Sequence, residues 1–124
     1  MDRQALKGQA ILLVEEQPSV ARNLQAALER AGAEVLVVRD AAEALVRLDQ
    51  FDFSSAIVDW RPDTREHPTI ARRLKEEGVR YLFYATHPPE DVRTGRGAPI
   101  IAKSATPEEI VEVLALFVHA TQEN

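Results

Sequence analysis

Residues Ala10 to Pro18 read A-I-L-L-V-E-E-Q-P. The first five residues form an unbroken apolar run that is too short for a buried helix and rich in branched side chains, so it predicts a β-strand. Such a run has no polar face, which is typical of a strand in a parallel sheet covered by helices on both sides. Two acidic residues, Glu15 and Glu16, follow the strand directly, and Pro18 suits the first turn of a helix.

Similar runs recur along the rest of the chain. The further predicted strands are Glu34 to Val38, Ala56 to Asp59, Tyr81 to Ala85 and Pro99 to Ala102. Segments with helical periodicity separate them, and this alternation implies an α/β fold with a doubly wound, five-stranded parallel sheet. In such a sheet, ligands bind beyond the carboxyl ends of the strands.

Residues at the helix ends support this division. Gly32 and Gly78 are predicted to terminate the first and third helices, and Asp40 is the predicted N-cap of the second. In the last helix, Thr106 and Glu109 have the spacing of a capping box.

Two segments fall outside the strand and helix pattern. The segment His87 to Ala98 holds prolines and glycines and little apolar content, so we expect a short or eroded fourth helix or a loop there. Residues 1–8 are predicted to be a flexible tail, and residues 9–121 a single domain that stands alone.

The composition limits the classes of function. The 124 residues carry a net charge of −5, which gives no electrostatic footprint for nucleic acid or an anionic membrane. There is no cysteine, which removes disulfides and thiolate chemistry. The first residues lack the apolar core of a signal peptide, and no apolar run approaches the length of a membrane span, so we expect a soluble, cytoplasmic protein.

Polar side chains stand where the predicted strands end. Glu15 and Glu16 follow the first strand, Asp59 ends the third, Thr86 follows the fourth and Lys103 follows the fifth. Neighbouring carboxylates are suited to Mg²⁺ with several retained waters, and a lysine with a hydroxyl suits phosphoryl oxygens. A carboxylate also serves as a nucleophile toward phosphoryl groups, so the pattern predicts a metal-assisted phosphoacceptor at Asp59.

The chain resembles the receiver domains of response regulators, from about Ala10 to the last helix. The resemblance rests on I-L-L-V-E-E-Q-P, A-I-V-D-W, F-Y-A-T-H and I-I-A-K-S-A-T-P-E-E-I, in that order. The segment V-R-Y-L-F-Y-A-T-H also resembles the fourth strand of a stand-alone alphaproteobacterial subgroup, which commonly carries a phenylalanine before the threonine.

The resemblance implies a flavodoxin-like strand order, 2-1-3-4-5, and a role in two-component signal transduction. Asp59 would accept phosphoryl from a histidine kinase or a phosphotransfer protein, and the signal would pass to a downstream protein. Glu16, with Glu15 and Asp59, would hold Mg²⁺ or another divalent cation, and Thr86 and Lys103 would meet the phosphoryl oxygens. It implies no enzymatic turnover, and it leaves open whether the domain forms a homodimer.

The periphery of the site departs from the usual family pattern. Glutamates replace the usual aspartates at the acidic pair, Ser104 replaces a proline after Lys103, and the bulky His87 follows Thr86. The missing proline, the bulky His87 and the eroded fourth helix favour a second hypothesis, a degenerate receiver that binds a partner without phosphorylation. A third hypothesis is a small phosphatase or nucleotide-binding enzyme, although no glycine-rich phosphate loop follows the first strand.

Each site residue also has a purely structural interpretation. Asp59 could be a turn or capping residue after a strand, and Glu15 and Glu16 could cap the first helix, where the helix dipole favours acids. Thr86 could cap a short segment that starts near Pro89, and Lys103 could be a solvated strand-end lysine. The combination of all these residues at strand ends favours the phosphoacceptor interpretation.

Overall fold

The computed structural model describes residues 4–59, 66–85, 100–102 and 105–122. Within them the chain forms a parallel sheet of five strands in the order β2-β1-β3-β4-β5. This is the strand order that the resemblance implies. The elements in chain order are β1 (Ala10–Val14), α1 (Pro18–Arg30), β2 (Glu34–Val38), α2 (Ala41–Gln50), β3 (Ser55–Asp59), α3 (Glu66–Glu76), β4 (Arg80–Ala85), β5 (Ile100–Ala102) and α4 (Pro107–Gln122).

The core has two apolar layers, one on each face of the sheet. Alternation along β1 sends Ile11 and Leu13 to one face and Leu12 and Val14 to the other. Helices α1 and α4 cover the first face, and α2 and α3 cover the second. All four of these β1 side chains are buried, so the unbroken apolar run follows from burial on both faces.

The first and third helices both end in a glycine with positive φ. Gly32 has φ +101° and Gly78 has φ +70°, values that side chains with a Cβ rarely adopt. After α1, the amide of Ala33 donates to the carbonyl of Leu28 at 3.1 Å, which is the long hydrogen bond of a Schellman motif. After α3, the amide of Val79 donates to the carbonyl of Leu74 at 2.8 Å in the same way, so the two predicted stop signals are confirmed.

The predicted N-caps are also confirmed. The Glu43 amide donates to Asp40 Oδ1 at 2.9 Å at the start of α2. In α4, the Glu109 amide donates to Thr106 Oγ1 and the Thr106 amide donates to Glu109 Oε1, both at 3.1 Å. This reciprocal pair is the capping box expected from the spacing.

The segment before β1 differs from the flexible tail predicted for residues 1–8. Leu6 is fully buried in the layer beneath α1 and α4, and its amide donates to the carbonyl of Ala31 at 2.8 Å. The Nε2–H of His119 donates to the Ala5 carbonyl oxygen at 3.0 Å. Residues 4–8 are therefore held against the domain, because one apolar side chain and two hydrogen bonds anchor them. Residues 1–3 lie outside the described residues.

The remaining differences are small. Strands β3 and β4 each begin one residue earlier than predicted, at Ser55 and Arg80. The described part of β5 begins at Ile100, and the predicted first residue of that strand, Pro99, lies outside the described residues. The predicted short fourth helix, His87 to Ala98, lies outside the described residues. Within the described ranges, no helix combines the length and apolar character needed to cross a bilayer.

Candidate functional site

A row of three polar side chains crosses the carboxyl edge of the sheet. Val14 pairs with Val58 between β1 and β3, and Asp59 pairs with Tyr84 between β3 and β4. Glu15 follows Val14 in the chain, so Glu15, Asp59 and Tyr84 continue this register as one row. Alternation places their side chains on the face that α1 and α4 cover.

Glu15 is held inside the protein rather than in solvent. Its side chain is only 2% exposed. The Tyr84 hydroxyl donates a hydrogen bond to Glu15 Oε1, and the amide N–H of Gln17 donates to Glu15 Oε2 at 2.9 Å. Gln17 is the N-cap of α1, so the carboxylate accepts one of the free amide groups at that helix start. The hydrogen bond to Gln17 agrees with the structural interpretation of Glu15, while the bond to Tyr84 crosses the sheet.

The Tyr84 hydroxyl is a persistent hydrogen-bond donor. The side chain is 1% exposed, and burial is the main cause that raises the pKa of Tyr84 well above its ordinary value. The hydrogen bond to Glu15 and the negative charges of Glu15 and Asp59 raise that pKa further. The hydroxyl therefore keeps its proton at neutral pH, and the charge of Asp59 acts on it from the adjacent strand.

Asp59 stands at the end of β3, between the other two members of the row. It is 9% exposed, while the preceding residues of β3 are buried apolar side chains or the buried Ser55. A carboxylate at this place is largely desolvated yet lies at the edge where parallel-sheet proteins bind ligands. Glu16, one residue beyond Glu15, is exposed.

The described acids suit a hydrated cation better than a closed metal cage. Within the described part of the chain, no group of three or more His, Cys, Asp or Glu side chains is arranged to hold a metal ion. Mg²⁺ keeps several waters and needs only one or two carboxylates from a protein, so Asp59 and Glu16 fit its donor chemistry. The buried Glu15, beside Asp59 in the row, adds negative charge behind them.

The other predicted site residues lie outside the described residues. Thr86 directly follows the last residue of β4, and Lys103 directly follows the last residue of β5. The departures from the family pattern that the sequence shows at His87 and Ser104 also fall outside the described ranges.

Sequence reasoning missed Tyr84. The run Tyr81 to Ala85 is recognised as a strand, but its two tyrosines look alike in a pattern of apolar residues. Strand alternation is the signal that distinguishes them, because it puts Tyr84 on the same face as Leu82 and Tyr81 on the opposite face with Phe83. Only the strand register then shows that Tyr84 lies beside Asp59.

Comparison with solved structures finds proteins that share the fold of this chain. No protein-family model and no curated protein matches the sequence. Among solved structures, the chain is similar to a response regulator from Thermotoga maritima, with 19% identity and a TM-score of 0.80, over 90% of this chain and 98% of that one. It is also similar to a CheY-like receiver domain from Methanospirillum hungatei, with 20% identity and a TM-score of 0.79, over 93% of this chain and 97% of that one.

A third similar structure was determined with ligands. It is the response regulator TrrA from Thermotoga maritima in complex with Mg²⁺ and BeF, with 19% identity and a TM-score of 0.73, over 86% of this chain and 96% of that one. The chain therefore has the fold of response-regulator receiver domains. At these identities the likeness establishes the fold, and the chemistry of the site rests on the residues described above.

Proposed function

We propose that the chain is a phosphoacceptor receiver domain of a two-component system or phosphorelay, with Asp59 as the acceptor. The observation that carries this proposal is the place of Asp59. It is a largely buried carboxylate at the carboxyl end of the central strand β3, directly beside the buried acid Glu15. The receiver fold, shared with a structure that holds Mg²⁺ and BeF, supports the same assignment.

The chemistry follows from a carboxylate nucleophile. An Asp59 oxygen attacks the phosphorus of a phosphohistidine on a histidine kinase or phosphotransfer protein, so that an O–P bond forms and the P–N bond to the histidine breaks. Glu16 and Asp59, with Glu15 behind them, are the acids that would hold Mg²⁺, which would offset the negative charge of the phosphoryl oxygens. Thr86 and Lys103 would donate hydrogen bonds to those oxygens.

The output is proposed to be a protein contact. Phosphorylation adds negative charge at one edge of the sheet, and such a change biases neighbouring segments between two arrangements. The acidic net charge of −5 disfavours direct contact with nucleic acid or an anionic membrane, so a downstream protein in the cytoplasm is the proposed partner. The domain would signal rather than turn over a substrate, as a monomer or a homodimer.

A second candidate function is a degenerate receiver that binds its partner without phosphorylation. The observation that favours it is the state of Glu15, since both of its carboxylate oxygens already accept hydrogen bonds from the protein. In this alternative the acidic row would be a structural element of the sheet edge.

Titration with Mg²⁺ and beryllofluoride, a tetrahedral mimic of a phosphoryl group, distinguishes the two candidates. Amide chemical shifts would be recorded for the wild type and for Asp59→Asn. If Asp59 is a phosphoacceptor, the amide chemical shifts of residues near the strand ends should change only when both reagents are present. These changes should be absent in Asp59→Asn. A folded wild-type protein whose shifts do not change would favour the degenerate receiver.

A further inference from the structure

The hydrogen bond between Tyr84 and Glu15 crosses the strand that carries Asp59. Tyr84 lies on β4 and Glu15 follows β1, and β3 lies between these two strands. Adjacent strands are about 4.8 Å apart, so the two backbones are separated by roughly 10 Å and the long side chains meet above the row position of Asp59. Both side chains are almost fully buried. The hydrogen bond therefore lies on the buried side of the acidic site formed by Glu15, Glu16 and Asp59.

This arrangement commits both oxygens of Glu15 to the protein. Oε1 accepts from the Tyr84 hydroxyl and Oε2 accepts from the Gln17 amide. Because Glu15 is 2% exposed, direct coordination of a hydrated cation would require its carboxylate to turn away from the hydroxyl. Glu16 differs from Glu15 in burial, because its side chain is exposed.

We propose that Tyr84 is a positioning residue of the acidic site, which holds Glu15 out of direct contact with Mg²⁺ and so weakens metal binding. This inference rests on the proposed function. Glu16 and Asp59 would then be the direct carboxylate ligands, and Glu15 would contribute charge from behind them. The side chain at position 84 would set the Mg²⁺ concentration at which the site is loaded.

The chain offers a matched pair of variants, because it contains exactly two tyrosines. Tyr84→Phe removes the hydroxyl that Glu15 accepts from and keeps the ring that packs in the core. Tyr81→Phe removes a hydroxyl from the same strand, but that buried ring lies on the opposite face and packs edge-on against Phe83. A general loosening of β4 would affect both variants, whereas an effect through Glu15 would appear only in Tyr84→Phe.

The primary measurement is the Mg²⁺ dissociation constant by calorimetry, with urea unfolding as a check that each variant is folded. Without the Tyr84 hydroxyl, turning the Glu15 carboxylate toward the metal no longer breaks this hydrogen bond. We therefore expect Tyr84→Phe to bind Mg²⁺ roughly tenfold more tightly than the wild type, which corresponds to about 1.4 kcal/mol. Tyr81→Phe should bind like the wild type. In a Glu15→Gln background, Tyr84→Phe should have no further effect, because the effect acts through the Glu15 carboxylate.

A second comparison does not depend on the folding of Tyr84→Phe. Glu15→Gln and Glu16→Gln each remove one negative charge, and we expect the second to weaken Mg²⁺ binding much more than the first. Equal losses would overturn the inference, because they would place both acids in the same relation to the metal.

Other results would separate this inference from the proposed function. If the wild type binds Mg²⁺ and beryllofluoride while Tyr84→Phe binds Mg²⁺ equally or more weakly, the positioning role is wrong and the proposed function stands. Tighter binding that also occurs in Tyr81→Phe, or that persists without the Glu15 charge, would likewise overturn it. If neither the wild type nor folded Tyr84→Phe binds Mg²⁺, both the inference and the proposed function fail.

Discussion

Replacement of Leu6 by alanine tests whether the segment before β1 is part of the domain. Leu6 is fully buried, and the change removes three carbon atoms from the layer beneath α1 and α4. At about 0.8 kcal/mol for each buried methylene, transfer alone gives roughly 2.4 kcal/mol, and a partly relaxed cavity adds to it. We therefore expect Leu6→Ala to lower the free energy of unfolding by about 3 kcal/mol, a large fraction of the stability of a small domain.

Urea unfolding followed by far-ultraviolet circular dichroism measures this loss. Leu116→Ala is the matched control, because Leu116 is 73% exposed on α4 and its truncation should change the stability by no more than about 0.5 kcal/mol. If residues 4–8 are part of the domain, Leu6→Ala should unfold at a clearly lower urea concentration than Leu116→Ala. If Leu6→Ala unfolds at the same urea concentration as Leu116→Ala, residues 4–8 do not contribute to the core and the flexible tail expected from the sequence is correct.

Three further predictions concern single groups. Gly32 and Gly78 both have positive φ, so Gly78→Ala should destabilise the domain by about 1 kcal/mol. Gly32→Ala should destabilise it more, because a Cβ at Gly32 would also lie 3.1 Å from backbone atoms of Lys7. The urea midpoints of the two variants measure this difference. Thr106→Ala should cost about 1 kcal/mol in the same assay by removing the cap of α4, and a loss near zero would contradict the capping box. Folding raises the pKa of Tyr84 above 10.0, so the unfolded chain loses the Tyr84 proton at a lower pH than the folded protein does. The free energy of unfolding of the wild type should therefore fall above pH 10, by up to about 1.4 kcal/mol per pH unit. The same pH slope in Tyr84→Phe would show that Tyr84 is not its cause.

The fold is largely predictable from the sequence, because its signals are local. Strands β1, β3 and β4 are mainly apolar runs that are almost entirely buried. The helix ends carry residues suited to capping, such as Gly32 with its positive φ and Thr106 with its side-chain hydrogen bond. Leu6 is the exception. A single apolar residue among polar neighbours has no periodicity, and its burial depends on the space between α1 and α4, which only the assembled fold defines.

The site is predictable in its residue types and less so in their connections. Glu15 and Asp59 are recognisable because they stand at strand ends, where the topology of a parallel sheet brings side chains together. The sequence favours Glu16 as the metal ligand but does not show how either acid is held. The structure separates them, because alternation turns Glu15 toward the buried face, where Tyr84 meets it across β3, and leaves Glu16 exposed. Such a difference depends on register and burial, which are properties of the folded sheet.

The most direct test of the central claim is the intact mass of the protein after incubation with Mg²⁺ and a small-molecule phosphodonor. We expect one phosphoryl adduct on the wild type and none on Asp59→Asn. Asp52→Asn, which changes an exposed aspartate before β3, should keep the adduct. An adduct that persists in Asp59→Asn would contradict the assignment of the acceptor. No adduct on a demonstrably folded wild-type protein would contradict the phosphoacceptor function itself.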